Sequence, residues 1–427
     1  MPARQESVGE DALGNEFARR YIEIRKQSLK LCLPLVVEDF GVQPMADASP
    51  PKWHLAHTTW FFETFILKER LVGYRVFNEH FEYLFNSYYN GIGTPFPRAK
   101  RGFLSRPTVE EIFTYRAHVD QHMLELLEQK LNNADADRLK EHLTLGLNHE
   151  QQHQELLLTD IKYNFGNNPL QPIYGGGPVA RESPRPEASF DTYVGGVVEI
   201  GADTGFAFDN ERPQHQVLLQ DFALARHLVC NGEYLNFVED GGYARADLWL
   251  AEGWAISKAQ GWQAPLYWQH KAGRWFEYRL DGRFELDQSL PVVHVSAHEA
   301  FAFAAWSNAR LPTEFEWENV ARQQSTVGSF VDAATFHPSA CSGDASTPTQ
   351  LFGEVWQWTS SSYGPYPGYR PLPGTLGEYN GKFMSSQLVL RGGSCATPSD
   401  HIRASYRNFF YPPDRWQFSG IRLAKDV

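Results

Sequence analysis

From about residue 12 to residue 165, apolar residues recur at spacings of three and four, which places them on one face of an α-helix. The third of the helices that this pattern predicts begins at Thr108-Val109-Glu110-Glu111, a Thr followed three positions later by a Glu, as in a capping box. Long helices in succession favour a helical bundle. The four predicted helices cover residues 12–38, 53–72, 108–133 and 136–165.

A long loop joins the second predicted helix to the third. Residues 85–107 are rich in Gly, Pro and Tyr, and the segment is longer than a turn between neighbouring bundle helices requires. Because long ordered loops often carry binding or catalytic residues, we look for functional side chains here.

The hydrophobic pattern changes after residues 167–189, a segment dense in Pro and Gly with neither helical nor strand periodicity. Beyond it, short β-type runs occur at residues 193–200 and 216–219, and helices are predicted only near residues 231–239 and 296–309. Trp residues and Gly turns are frequent in this part. It is therefore predicted as α+β with much irregular structure.

Length and pattern together predict the domain organisation. A chain of 427 residues is long enough for two or three domains. We predict a multidomain protein with a helical domain at residues 1–170, a linker at 171–190 and an α+β domain at 191–427.

Composition narrows the possible partners. Lys and Arg number 39 against 51 Asp and Glu, a net charge of −12, which leaves no basic surface for nucleic acid or an anionic membrane. The expected ligands are small molecules. The four cysteines are far apart and form no CxxC pair, which favours reduced thiols in a cytoplasmic protein over a disulfide framework or a zinc ribbon. No apolar leader or bilayer-spanning stretch is expected.

The strongest chemical motif is His149-Glu150-Gln151-Gln152-His153, within the fourth predicted helix. Histidines at i and i+4 project from the same helix face, so both imidazoles can reach one metal ion. The string also matches HExxH, the zinc peptidase motif, in which the Glu acts as general base. No His follows to complete the extended peptidase pattern, which weakens that alternative.

A third ligand is available upstream, where residues 53–63 read WHLAHTTWFFE at the start of the second predicted helix. Either His54 or His57 can face the other two histidines across a bundle. A three-histidine site with open coordination positions can then form. For a single His, a capping or core-edge position is the alternative.

Taken together, these strings resemble a known family. WHLAHTTWFFE, a loop with paired tyrosines and HEQQHQELLLTD, followed by strings typical of formylglycine-generating enzymes, are similar to the ergothioneine-biosynthesis sulfoxide synthases, or hercynine oxygenases. The resemblance covers nearly the whole chain. It implies a DinB-like four-helix bundle followed by a C-type-lectin-like domain of the formylglycine-generating (sulfatase-modifying) type. The second-half strings are PVVHVS at 291–296, RLPTEFEWE at 310–318, GEVWQWT at 353–359, RGGS at 391–394 and GIRLA at 420–424.

The resemblance implies a mononuclear Fe(II) cofactor held by three histidines, and the matching positions are His57, His149 and His153. Some relatives have an Asp where His54 stands, which argues against His54 as a ligand. Iron with imidazole ligands and open positions is suited to bind a thiolate and dioxygen together, whereas zinc has no redox chemistry.

The resemblance also implies the substrates. The family joins the sulfur of cysteine, or of γ-glutamylcysteine, to C2 of the imidazole of hercynine (N-α-trimethylhistidine), with oxidation to the sulfoxide. The two substrates supply the four electrons that dioxygen takes, so the reaction needs neither a nicotinamide nor a flavin.

Hercynine-binding residues follow from the same resemblance. Gln152 matches a family glutamine beside the last ligand His, and its amide can donate to a ring nitrogen. Asn408, Phe409 and Phe410 match a segment usually written RNWDYP, whose Asn and Trp help hold the carboxylate and the trimethylammonium group. Phe409 can offer a cation–π face in place of the Trp. The alternatives are an exposed helix glutamine and core phenylalanines.

The sequence departs from that segment at Phe410, which stands where the family has an Asp. An acid there can pair with a substrate ammonium group and a phenyl ring cannot, so free cysteine is favoured over γ-glutamylcysteine. Arg98 and Arg101 match in spacing a family pair that binds the carboxylates of the thiol substrate. A solvated basic turn is the alternative.

Tyr88 and Tyr89, in the long loop, are the predicted catalytic residues. A phenol is protonated at neutral pH and can supply a proton during oxygen chemistry. One branch of the family uses a second-domain tyrosine, for which Tyr363, Tyr366 or Tyr369 is available. An aromatic loop anchor is the alternative for the tandem pair.

Three other functions compete with this one. A formylglycine-generating oxidase shares the second fold but needs two copper-binding cysteines after its GGS motif, and only Cys395 follows here. A noncatalytic lectin-like binding module leaves the histidines unexplained. An ovothiol synthase carries an extra methyltransferase domain, for which 427 residues leave no room.

Overall fold

The computed structural model describes residues 7–129, 133–179, 188–341 and 348–427. The chain divides into two units, Met1–Asn164 with Gly374–Leu376, and Phe165–Pro373 with Gly377–Val427. Residues 180–187 of the predicted linker lie outside the described residues.

Long helices build the first unit, as the apolar periodicity predicts. The first of them ends earlier than predicted, because Pro34 cannot continue a helix beyond Cys32. Short 3₁₀ segments follow at Val37–Gly41 and Arg98–Phe103. The α-helices are α1 Ser7–Cys32, α2 Pro51–Phe62, α3 Phe81–Phe85, α4 Val109–Leu127 and α5 Asn133–Asn167.

The start of α4 confirms the predicted capping box. The Thr108 hydroxyl accepts a hydrogen bond from the Glu111 backbone N–H at 3.1 Å, and the Glu111 carboxylate accepts one from the Thr108 N–H at 2.7 Å. Two backbone donors that a helix start leaves without helical partners are thereby satisfied.

α2 is the central helix of the first unit, and every residue from Pro51 to Leu67 is buried. The helix continues through a π-helical turn at Glu63–Leu67 into Lys68–Arg70. Turns of this kind frequently lie near functional sites. Glu63 opens the turn and accepts hydrogen bonds from the hydroxyls of Tyr74 and Tyr115, each at 2.6 Å.

Small sheets and short helices make up the second unit. The strands are β1 Phe190–Tyr193, β2 Gly196–Ile200, β3 His215–Leu219, β4 Phe222–Ala225, β5 Trp268–Lys271, β6 Arg274–Arg279, β7 Gly282–Glu285, β8 Trp356–Ser362, β9 Leu388–Arg391, β10 Asn408–Phe410, β11 Ser419–Gly420 and β12 Ala424–Asp426. They form a four-stranded sheet of order β10-β9-β8-β11, two three-stranded sheets of orders β1-β4-β12 and β5-β6-β7, and the pair β2-β3.

The predicted run 193–200 is two strands in the structure. Gly196 has φ of +128°, a conformation that separates β1 from β2 and that other residues rarely adopt. The helices predicted near 231–239 and 296–309 are confirmed, whereas two short helices of nine and eight residues were missed. The helices of this unit are α6 Asn231–Glu239, α7 Ala251–Ala259, α8 Ala297–Trp306 and α9 Glu314–Ala321.

The string RLPTEFEWE forms the start of α9 and part of a buried charge network. Glu314 accepts hydrogen bonds from Arg391 and Arg407 at 2.8 Å each, and Glu318 accepts one from Arg391 at 2.8 Å. A buried carboxylate is stable when guanidinium groups neutralise it in this way. This network connects α9 with the end of β9 and with the residue that precedes β10.

No helix among the described residues is long and apolar enough to cross a bilayer. The four cysteines are buried, and no disulfide joins them in the described part of the chain, which includes all four.

Candidate functional site

Three histidines of the first unit converge. His57 comes from α2, and His149 and His153 come from α5. One ring nitrogen of each lies within 4.8 Å of those of the other two, and the Nε2 atoms of His57 and His149 are 3.2 Å apart. Among the described residues, these three histidines form the group of His, Cys, Asp or Glu side chains that lie close enough together to hold a metal ion.

The donor set fits a transition metal. The His57 Nδ1–H donates to the Phe85 carbonyl oxygen at 2.6 Å, which leaves the lone pair on Nε2 for the cluster. Burial holds the pKa of His57 well below its usual value and lowers the pKa of His149 to about 3. Neutral imidazoles are the metal-binding form, and they suit iron as well as zinc, copper or nickel.

A continuous series of contacting side chains, five aromatic rings besides one guanidinium, runs through His57. Trp53 and Trp60, four residues before and three after His57 on the helix, lie nearly parallel to it with ring centroids 4.6 and 5.5 Å away. We call this series the His57 stack. Its members, in order of contact, are Arg101, Trp53, His57, Trp60, Tyr89 and Tyr88.

The two predicted catalytic tyrosines lie at one end of the His57 stack. Tyr89 is fully buried against Trp60 and Phe65, with ring centroids 5.6 and 5.0 Å away. Tyr88 packs on Tyr89 at 4.6 Å and keeps part of its surface exposed. Asn86 fixes this part of the loop, because its side chain exchanges hydrogen bonds of 2.9 Å with the backbone N–H and carbonyl of Tyr89.

Arg101 lies at the other end of the stack, with its guanidinium carbon 3.3 Å from the centre of the Trp53 ring. It is 3% exposed and donates to the hydroxyls of Ser49 and Ser87 at 2.9 and 3.0 Å. Burial lowers its pKa well below the usual value, and the Asp160 carboxylate acts against that shift. Arg98, predicted as its partner, is exposed and donates to the Asp47 carbonyl.

Gln152 lies on α5 between the two ligand positions of that helix and is partly exposed. His54, rejected as a ligand, is outside the metal-binding group but contacts His153, with 2.9 Å between the two Nδ1 atoms. The sequence motif that contains His54 does not indicate this contact, because it joins side chains of two different helices.

Glu150 does not face the metal cluster as the zinc peptidase alternative requires. It is completely buried and accepts hydrogen bonds from Arg25 and Arg116 at 2.9 Å and from the Ser28 hydroxyl at 2.6 Å. These guanidinium groups outweigh burial and lower the pKa of Glu150 to about 2. A carboxylate neutralised by two arginines is a poor general base, so the peptidase alternative is wrong.

The residues predicted for hercynine in the second unit lie on β10, which pairs antiparallel with β9. Side chains alternate along a strand, so Asn408 and Phe410 share one face and Phe409 is on the other. Phe409 stacks face to face on Tyr363, with ring centroids 4.0 Å apart and planes 12° from parallel. All three β10 residues are partly exposed, so neither phenylalanine is a core residue.

The alternative tyrosines of the second unit have partners for their hydroxyl groups. Tyr363 accepts a hydrogen bond from Asn210 at 2.9 Å, and Tyr366 accepts one from Arg391 at 2.9 Å. Tyr369 donates to Asp209 at 3.0 Å.

Comparison with known proteins agrees with the two units. Residues 20–157 match the DinB superfamily, and residues 179–344 and 348–427 match the sulfatase-modifying factor enzyme 1-like domain. The formylglycine-generating enzyme of Thermomonospora curvata is 33% identical and covers 58% of this chain and 97% of its own. The fold and the histidine cluster thus define a protein that combines a DinB-like helical domain with a sulfatase-modifying-factor domain.

Relatives that span both domains identify the family. The hercynine oxygenase of Mycolicibacterium thermoresistibile is 32% identical over 96% of this chain and 95% of its own. That of Mycolicibacterium smegmatis is 34% identical over 66% of this chain and 71% of its own. The chain belongs to the hercynine oxygenase family and is an oxygenase, as the resemblance predicted.

Proposed function

We propose that this protein is an Fe(II)-dependent sulfoxide synthase that joins the sulfur of cysteine to C2 of the hercynine imidazole. The observation that carries the proposal is the cluster of His57, His149 and His153 in a chain that matches a hercynine oxygenase over nearly its full length.

The reaction balances without a further reductant. The thiol loses its S–H bond and hercynine loses its C2–H bond, while one C–S bond and one S–O bond form. Dioxygen takes four electrons, and one of its oxygen atoms enters the sulfoxide while the other leaves as water.

The three histidines would hold the iron. Bound Fe(II) supplies open coordination positions for the thiolate and for dioxygen and the one-electron steps that dioxygen reduction needs. The Phe85 carbonyl would keep the His57 ring in place by accepting its Nδ1–H.

Arg101 would bind the carboxylate of cysteine. A buried guanidinium whose direct hydrogen bonds go to the neutral hydroxyls of Ser49 and Ser87 is unfavourable in the free protein, and a substrate carboxylate offsets that cost. Trp53 contacts both Arg101 and His57, so one indole ring separates the proposed carboxylate site from a metal ligand.

Tyr88 would supply a proton from its hydroxyl group during the reduction of dioxygen, and Tyr89 packs against its ring. Tyr88 is partly exposed and therefore reachable by solvent and substrate, whereas the Tyr89 ring is enclosed by Trp60 and Phe65. The Gln152 amide would donate to a ring nitrogen of hercynine.

In the second unit, Phe409 is partly exposed, and its ring, with Tyr363 stacked on one face, would contact the trimethylammonium group of hercynine. Asn408 would bind the hercynine carboxylate. Phe410 places a phenyl ring where an acid would be needed to pair with the γ-glutamyl ammonium, so cysteine is the proposed thiol.

The test is anaerobic loading of the purified protein with Fe(II), followed by air, hercynine and either cysteine or γ-glutamylcysteine, with mass spectrometry of the products. We expect the cysteine-derived sulfoxide, and we expect the His149→Ala protein to form none. An iron-loaded wild-type protein that converts cysteine without consuming hercynine would overturn the proposal.

A further inference from the structure

His54 connects the metal cluster to an acidic residue. It is 4% exposed and lies on α2 one turn before His57. Its Nδ1 is 2.9 Å from Nδ1 of His153, and its Nε2 is 3.0 Å from Oδ2 of Asp160. Asp160 is also buried, and the same Oδ2 accepts the Ser49 backbone N–H at 2.7 Å.

A carboxylate oxygen accepts hydrogen bonds, so His54 donates to Asp160 from Nε2 and carries a proton there. The contact between the two Nδ1 atoms needs one proton and one lone pair. When Nε2 of His153 gives its lone pair to a metal ion, Nδ1 of His153 carries the proton and donates it, and Nδ1 of His54 accepts.

We infer that Asp160 and His54 are positioning residues that hold the His153 proton on Nδ1 and so present Nε2 of His153 to the metal. The inference rests on the metal centre of the proposed function. Outer partners of this kind fix the tautomer and orientation of a ligand imidazole and raise its basicity.

His57 and His153 each donate the Nδ1–H to an acceptor outside the metal cluster, but the two acceptors differ. His57 donates its Nδ1–H to a backbone carbonyl, which no side-chain substitution removes. His153 donates to another side chain, which in turn depends on Asp160. The second chain of contacts can therefore be changed by mutation without touching a metal ligand.

The first experiment compares His54→Leu with His54→Asn in the full-length, metal-free protein. An Asn side chain can place its Oδ1 near the position of the His Nδ1 and accept the His153 N–H, whereas Leu removes the acceptor. With Co(II) alone as the probe, we expect His54→Leu to raise the dissociation constant about 10- to 100-fold, the usual effect of losing such a partner. We expect His54→Asn to restore most of the affinity.

The second experiment uses Asp160, in case His54→Leu does not fold. Because Ser49 N–H and His54 Nε2–H bind the same oxygen, Asp160→Asn keeps an acceptor oxygen there and preserves the tautomer of His54. Asp160→Leu removes it. We expect weakened Co(II) binding only in the Leu variant, with the circular dichroism spectra of both variants unchanged.

Proton NMR of the Co(II) protein gives a readout that packing alone does not move. We expect the wild-type protein to show a hyperfine-shifted, exchangeable Nδ1–H from His153, and His54→Leu to lose this signal through exchange with solvent. Wild-type affinity in His54→Leu, or a His54→Asn protein as weak as His54→Leu, would overturn the positioning role. If His149→Ala also binds Co(II) normally, the metal centre itself is wrong.

Discussion

Arg25 of α1 and Glu150 of α5 form a buried ion pair, with 2.9 Å between Nη1 and Oε2. Arg116 of α4 binds the other carboxylate oxygen at 2.9 Å. Glu150 thus ties two neighbouring helices to α5, the helix that carries His149 and His153. It serves the scaffold of the site rather than its chemistry.

We predict that Glu150→Gln destabilises the metal-free protein at pH 7 by about 3–5 kcal/mol, because it leaves the buried Arg116 guanidinium without its anion and leaves Arg25 with Asp120 alone. Urea unfolding measures the change. Glu141→Gln, an exposed position on the same helix, is the matched control and should have little effect. Equal unfolding free energies for Glu150→Gln and the control would contradict the assignment.

The same variant has a defined pH dependence. The folded-state pKa of Glu150 is about 2, below the unfolded value of about 4.3, so its stabilising contribution is fully present above roughly pH 5. That contribution is lost as the pH falls through the folded pKa. The difference in unfolding free energy between wild type and Glu150→Gln should therefore shrink steadily from pH 5 toward pH 2.

Replacing His57, His149 or His153 by Ala should each remove most Fe(II) binding, because a site of three imidazoles loses a third of its ligands. Ferrous iron binds more weakly than most competing metals, so the titration must be anaerobic and start from stripped protein. His80→Ala, at an exposed histidine, is the control. Full Fe(II) binding in the His57→Ala protein would remove that residue from the site.

Tyr88→Phe should divert the reaction toward cysteine sulfinic acid at the expense of the sulfoxide. Without the proton donor, the thiolate is still oxidised but the carbon–sulfur bond forms less often. The product ratio by mass spectrometry reports the change. Tyr89→Phe should shift the ratio less, and the double Phe variant should shift it at least as far as Tyr88→Phe. A change only in Tyr363→Phe would move the role to the second unit.

Cysteine should be preferred over γ-glutamylcysteine by at least about tenfold in kcat/KM, or about 1.4 kcal/mol. The physical reason is the cost of placing an unpaired ammonium against the Phe410 ring. Steady-state kinetics with both thiols measure the ratio, and Phe410→Asp should narrow it. Equal efficiency in the wild-type protein would show that another group meets the ammonium.

Arg101→Ala should raise the KM for cysteine far more than the KM for hercynine, since its guanidinium is buried and its direct hydrogen bonds go to neutral hydroxyls. Arg98→Ala is the matched control, because Arg98 has the same side chain on an exposed surface. If the two variants have equal effects on the KM for cysteine, the carboxylate is bound elsewhere.

The sequence predicted the parts of the site that local spacing determines. The two histidines of α5 follow from helical periodicity, and the same periodicity places Glu150 about 100° around the helix from His149. Its partners could not be found in this way, because Arg25 and Arg116 lie 125 and 34 residues away on other helices. Asp160 could have been predicted from the sequence, because it follows His153 by seven residues, or two helical turns, and so lies on the same face of the helix.

Burial separated residues that the sequence treated as pairs. Arg98 and Arg101 are three residues apart, but only the Arg101 side chain is buried, and it contacts Trp53. The tandem tyrosines differ in the same way, with Tyr89 enclosed and Tyr88 partly exposed. Spacing cannot distinguish the members of such pairs, because tertiary packing decides which side chain is covered.

The stacking of Trp53 between His57 and Arg101 gives the protein an internal optical reporter. A transition metal bound at His57 quenches the emission of an indole stacked on the ligand ring, and a carboxylate bound by Arg101 alters the charge over the other contact of the same indole. Metal loading and thiol binding should therefore produce separate changes in fluorescence intensity. Comparison with Trp53→Phe would isolate this contribution from that of the other tryptophans. Each binding step can then be followed under anaerobic conditions, before oxygen is admitted.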